Sequence, residues 1–121
     1  FICAPYSATK TRSVESHIRE AKQIRDALIK NSVACYCPHA NTAHLDHRQP
    51  VEFFYRMSDE MARRSDCLIV PDKFRAYANT PTKGMQRQLL IPSGKSRPVF
   101  YWPSDREAII EFCQDEREDV K

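Results

Sequence analysis

Two stretches of the chain concentrate side chains that can bind or react. Pro5-Tyr6-Ser7-Ala8-Thr9-Lys10-Thr11 offers three Ser and Thr hydroxyls, a phenol and a lysine between an apolar run and a helical pattern. A strand-to-helix turn of this kind presents free backbone N–H groups at a helix amino terminus, which suit a phosphate or a sugar hydroxyl. A polar turn with a helix cap is the alternative. The second stretch, Cys37-Pro38-His39-Ala40-Asn41-Thr42-Ala43-His44-Leu45-Asp46-His47, holds three of the four histidines. His44 and His47 stand three apart and match no zinc signature, so a metal centre is not expected. His39 and Asn41 are suited to hydrogen bonding with a nucleobase or a sugar, with loop capping as the alternative.

Two familiar phosphate signatures fail. Gly94-Lys95-Ser96 ends like a P-loop, but the position of the motif's earlier glycine is Leu89, and a strand pattern follows rather than precedes it. A GxGxxG turn is lacking in a chain with only two glycines, which argues against a dinucleotide cofactor. No cofactor is expected. Five cysteines (Cys3, Cys35, Cys37, Cys67 and Cys113) form no CxxC pair. Their odd number and their apolar settings suggest small buried thiols in a reducing compartment rather than disulfides. Cys35 and Cys37 are two apart, so in a strand they share one face.

The elements that must position these groups follow from hydrophobic spacing. Apolar runs predict strands at Phe1 to Ala4, Ser32 to Cys37, Cys67 to Val70 and Pro98 to Tyr101. Between them lie helical patterns, the crossovers that parallel strands require. Val14, Ile18, Ala21, Ile24 and Leu28 mark the first helix, with Glu15 in its first turn and Asn31 as its terminator. A second helix runs from about Pro50 to Arg64, with Phe54, Met57 and Met61 as its inward stripe. A third spans about Thr82 to Leu90, with Met85 and Leu89 one turn apart, before Pro92-Ser93-Gly94 stops it. Ser104-Asp105-Arg106-Glu107 reads as a capping box that opens a last helix on Ala108, Ile109, Phe112 and Cys113.

Long connections, His39 to Gln49 and Asp72 to Pro81, follow strand carboxyl ends, as does the turn from Pro5 to Arg12. In open parallel sheets that edge is where ligands bind. The chemistry is therefore expected on one rim.

Bulk properties narrow the class. A chain of 121 residues fits one domain, residues 1–121, with a charged tail from 114 to 121 that is expected to fray. The net charge of +3 is mild and the basic residues are interspersed with acids, which argues against a nucleic-acid polymer as partner. No apolar run approaches the roughly 20 residues of a membrane span. Phe1-Ile2-Cys3-Ala4 is a poor match to a secretory leader. A cytoplasmic protein without membrane attachment is the expectation.

Phe1-Ile2-Cys3-Ala4-Pro5-Tyr6-Ser7, the amphipathic helix after it, and Cys37-Pro38-His39-Ala40-Asn41-Thr42-Ala43 together resemble the nucleoside 2-deoxyribosyltransferase-like proteins, most closely a small bacterial and phage branch. Arg64-Ser65-Asp66-Cys67-Leu68-Ile69-Val70 resembles the start of that family's third strand, and Gly84 followed by a helix resembles its catalytic segment. The similarity spans roughly residues 1 to 101. It implies a flavodoxin-like (Rossmann-like), doubly wound parallel sheet in a three-layer α/β/α arrangement. It also implies a homo-oligomer, dimer or tetramer, that acts on a small-molecule nucleoside or nucleotide. The exposed aromatics Phe53 and Tyr55 would be available for a subunit interface.

Family enzymes attack the anomeric carbon with a glutamate carboxylate and form a glycosyl-enzyme intermediate, while an aspartate helps protonate the departing base. This chain departs from that pattern at both positions. The nucleophile position, four residues after Gly84, is Gln88, and an amide cannot serve as that nucleophile. The aspartate position, eight residues before Asp66, is Ser58, with Asp59 beside it; one residue on a helix turns a side chain by about 100°. Three accounts stay open: Gln88 replaces a native carboxylate, the chain binds without catalysing, or another acid such as Asp59 or Glu60 carries the reaction. The expected function is that of a nucleoside or nucleotide N-glycosidase or deoxyribosyltransferase, or else a non-catalytic nucleotide-binding sensor or sequestering module. In the first case Tyr6, Ser7, His39, Asn41 and Gly84 line the ligand, Gln88 fills the nucleophile position, and Asp59 is the acid–base candidate.

Overall fold

The computed structural model describes residues 1–4, 13–42, 45, 48–77 and 98–119. Among these, the chain is a mixed α/β protein with four α-helices, a 3₁₀ helix and a two-stranded parallel sheet. No described helix is long and apolar enough to cross a membrane.

Helix α1 (Val14–Lys30) forms where the spacing predicts it. Ser13 caps it by accepting the Ser16 N–H at 3.1 Å, which satisfies one of the orphan donors of the first turn. Its buried face is His17, Ile18, Ala21, Ile24 and Leu28. The helix stops by design of its backbone. Ser32 adopts a left-handed φ of 62°, the Ser32 N–H donates to the Ile29 carbonyl at 3.0 Å, and the Val33 N–H donates to that of Leu28 at 2.9 Å. That pair of bonds is a Schellman closure, accompanied by burial of Leu28 and Val33 in one cluster.

Strands β1 (Leu68–Pro71) and β2 (Val99–Trp102) pair in parallel, Leu68 opposite Val99 through Pro71 opposite Trp102. The opening segment lies on the other side of β1. The Ile69 N–H donates to the Phe1 carbonyl, the Cys3 N–H donates to the Ile69 carbonyl, and Ile2 makes a parallel bridge with Ile69. Ile2 in turn donates its N–H to the Tyr36 carbonyl at 2.9 Å. Backbone bonds therefore set Tyr36, Ile2, Ile69 and Phe100 side by side in that lateral order. Residues 32–37, expected as a strand, hold this position through the Tyr36 bond without forming a ladder. The turn at Ser32 and the helix starting at Pro38 bound it on either side.

The two sides of this array pack differently. Ile2, Ile69, Phe100 and Trp102 face α1 residues Ala21, Ile24 and Leu28 and the last helix's Ile109 and Phe112. Phe1, Cys3, Leu68, Val70 and Tyr101 turn the other way, with Ala62 of helix α3 (Val51–Arg64) and Phe74. Alternation along each extended segment thus sends α1 and the last helix to one side and α3 to the other.

Two local expectations are corrected. The inward residue of α3 is Ala62. Tyr55, Ser58 and Asp59, on the same side by helical spacing, are half-buried, whereas Met61 is 39% exposed and Phe53 is exposed too. Of the expected stripe, Phe54 and Met57 are half-buried and Met61 is exposed, so the expectation is corrected at the last position, where Ala62 and not Met61 enters the core. Ser104 does not head a capping box. Its hydroxyl is directed to Asp72, and the last helix, α4 (Arg106–Asp119), begins with the Ile109 N–H on the Asp105 carbonyl at 2.9 Å. The charged stretch after Gln114 continues α4 through Asp119.

Candidate functional site

The carboxyl ends of the parallel segments define a rim at Ala4, Cys37, Pro71 and Trp102. Chain continuity brings four connections there. After Cys37, where a long loop from His39 to Gln49 is expected, the chain instead makes a short helix α2 (Pro38–Thr42). Its first turn is held by the Cys37 carbonyl, which accepts the N–H groups of Ala40 and Asn41 at 3.1 and 3.2 Å. The Cys37 thiol also accepts the N–H groups of Ala40 and His39, although burial dominates and pushes this thiol up from its ordinary value.

After β1 comes the 3₁₀ helix Asp72–Tyr77. Asp72 Oδ2 accepts the Ser104 hydroxyl at 2.6 Å and the Ser104 N–H at 3.1 Å, so it ties the connection after β1 to the one after β2. Asp72 Oδ1 is buried without a hydrogen bond. Lys73 pairs with Glu20 of α1 at 2.6 Å and lies over the Phe74 ring at 5.8 Å. Phe74 meets the buried His17 ring, with centroids 6.4 Å apart and planes tilted by 50°. The first turns of α1 are thereby docked beside the end of β1.

The sequence-predicted residues divide as follows. His39 is only 3% exposed, so its ring is part of the packing beneath α2 and not an open rim group. A loop carries its side chains outward more readily than a helix whose first turn lies on the core, and α2 is such a helix. Asn41 is exposed, and its amide donates to the Tyr36 hydroxyl at 3.0 Å. Asp59 is half-buried on the inward side of α3. Glu60, the other acid considered, is engaged at the surface by Arg63 at 2.8 Å and Arg64 at 2.7 Å. Tyr6, Ser7, Gly84 and Gln88 lie outside the described residues, as does the expected helix from Thr82 to Leu90.

Sequence reasoning missed His17, Asp72, Phe74 and Ser104. For His17 a signal existed: it sits three residues after Val14 and four before Ala21, on the apolar side of α1. Asp72 and Ser104 meet only through the fold, 32 residues apart. Chemically, the described rim offers an amide donor oriented by a phenol, a lysine and a carboxylate clip, while the Phe74 ring is buried in the core. It is a set of binding groups, with its carboxylates Glu20 and Asp72 already engaged. Among the described residues no three His, Cys, Asp or Glu side chains gather as a metal site. Comparison with known protein families, with curated proteins and with solved structures gives no match.

Proposed function

We propose that the chain is a flavodoxin-like, doubly wound three-layer domain that binds a nucleoside or nucleoside monophosphate at this rim and descends from enzymes of N-glycosidic bond chemistry. The observation that carries the reading is the lateral order of Tyr36, Ile2, Ile69 and Phe100. In that order segment 1–4 is followed in sequence by its neighbour on one side, residues 32–37, and β1 by its neighbour on the other, β2. A switch point of this kind is where open α/β sheets take their ligands. The turn carrying Tyr6 and Ser7 begins there, and so does the connection carrying Asp72 and Phe74. Helices on both sides of the array support the three-layer reading.

In the active form of this chemistry a carboxylate at position 88 attacks the anomeric carbon as the base leaves. The base takes a proton from an acid, for which Asp59 is the candidate, and water or a second base then releases the glycosyl ester. Gln88 lacks the charge for the first step but keeps the ability to hydrogen-bond a ribose hydroxyl. That substitution favours a second reading, a nucleotide sensor or sequestering module without turnover. One experiment serves both. The protein and its Gln88→Glu variant are incubated with nucleosides and their monophosphates, released base is followed chromatographically, and thermal shift is measured in parallel. Base release by the variant supports the enzymatic ancestry, and a thermal shift without release supports the binder. Absence of both with either protein overturns the proposal.

A further inference from the structure

We propose that Cys67 and Cys113 form a reversible intramolecular disulfide that fastens α4 to the sheet. Cys67 immediately precedes β1, and Cys113 lies in the middle of α4. Both side chains belong to the same core cluster, and the two thiols are hydrogen-bonded to one another. The neighbouring Phe100–Phe112 pair, ring centroids 5.5 Å apart, holds this turn of α4 against β2. The sulfurs are therefore brought together by packing that does not depend on the bond.

The other thiols are less well placed. Cys3 faces the opposite side of the array, in the cluster with Ala62 and Phe74. Cys37 is engaged by the backbone of α2. Cys35 borders the same cluster as Cys67 and Cys113 and is the main competitor.

The reaction balances with a peroxide as oxidant. Cys113 is half-buried and Cys67 buried, so the Cys113 sulfur meets hydrogen peroxide first. Its S–H bond and the O–O bond break, and a sulfenic acid and one water form. The Cys67 sulfur then displaces hydroxide from that sulfenic acid; the S–S bond forms, the Cys67 proton leaves with the hydroxide, and a second water is released. Two thiols are oxidised by two electrons and one peroxide is reduced to two waters. In the reduced protein the Cys67 proton is held by the bond to Cys113 and by burial.

The full-length reduced protein is treated with hydrogen peroxide at neutral pH, remaining thiols are alkylated, and intact mass and peptide maps are recorded. The expected result is a monomeric product lighter by two hydrogens, a Cys67–Cys113 cross-linked peptide, reversal by dithiothreitol, and a higher thermal midpoint in the oxidised form. Cys113→Ser should lose the cross-link and Cys35→Ser should retain it. A dominant Cys35–Cys113 link, cross-links between chains, or higher oxides at Cys113 with no cross-link would each overturn the proposal. The map of the unsubstituted protein decides the matter even if a variant folds poorly.

Discussion

Asp72 and Ser104, one at the end of β1 and the other just beyond β2, are joined twice through a single carboxylate oxygen, to the serine hydroxyl at 2.6 Å and to its N–H at 3.1 Å. Hydrogen bonds to a charged acceptor are among the stronger ones, weakened here by exposure to water. Ser104→Ala removes the hydroxyl bond and is expected to destabilise the protein by about 1 kcal/mol. Thermal unfolding should record this as a drop of roughly 4 °C for a chain of this size. A midpoint that does not move would show that the clip is decorative.

Leu28 and Ile29 are adjacent on α1, yet one is fully buried and the other 58% exposed. Leu28→Ala leaves a cavity against Ile2 and Val33, and a loss of about 3 kcal/mol is expected in urea unfolding. Ile29→Ala should change stability by less than about 0.5 kcal/mol. Equal effects at the two positions would contradict the orientation of α1.

Burial raises the Cys35 and Cys37 thiols, and the bond to Cys113 together with burial raises Cys67, all from an ordinary value of 9.0. The sign follows from proton binding: below 9.0 both folded and unfolded chains keep these protons, whereas above it the unfolded chain releases them first. Stability is therefore expected to fall as pH rises past 9.0. Cys67→Ala should flatten that fall relative to the unsubstituted protein, measured as thermal midpoint against pH. Parallel curves would count against a raised Cys67.

Tyr36 orients the exposed Asn41 amide through its hydroxyl. If Asn41 contacts a nucleotide at the rim, Tyr36→Phe leaves that amide free to rotate and should weaken nucleoside monophosphate binding about threefold, near 0.6 kcal/mol, with Asn41→Ala weaker still. Isothermal titration with adenosine, guanosine, cytidine and uridine monophosphates checks this. Unchanged affinity in Asn41→Ala would remove the residue from the site.

Much of the architecture was legible because it rests on long, regular patterns. The stripe from Val14 to Leu28 spans four turns, and α1 forms over that range with Asn31 at its end. The runs at Leu68 and Val99 became strands one residue displaced from expectation, since backbone pairing extends to Pro71 and Trp102. The last turn of α3 was misread, with Ala62 and not Met61 buried, because periodicity reports an apolar side without saying which residue a sheet will meet. Helix α2 was invisible for the opposite reason: five residues are too few to show a period. At the rim, types and spacing flagged His39 and Asn41, but only the backbone shows one tucked into packing and the other presented to water. The Asp72–Ser104 clip has no local signature, since its two halves meet only after β1 and β2 have paired.

The closure at the end of α1 has a further consequence. Val33 is anchored to Leu28 and Tyr36 to Ile2, so the short stretch between them works as a ruler with both ends pinned. Alternation here sends Val33, Cys35 and Cys37 to one cluster and Tyr36 to the other. One extra residue between Val33 and Tyr36 could not keep both anchors and both faces, so it would have to bulge or release one end. The spacing between two backbone bonds thus sets the direction in which α2, and Asn41 with it, leaves the array.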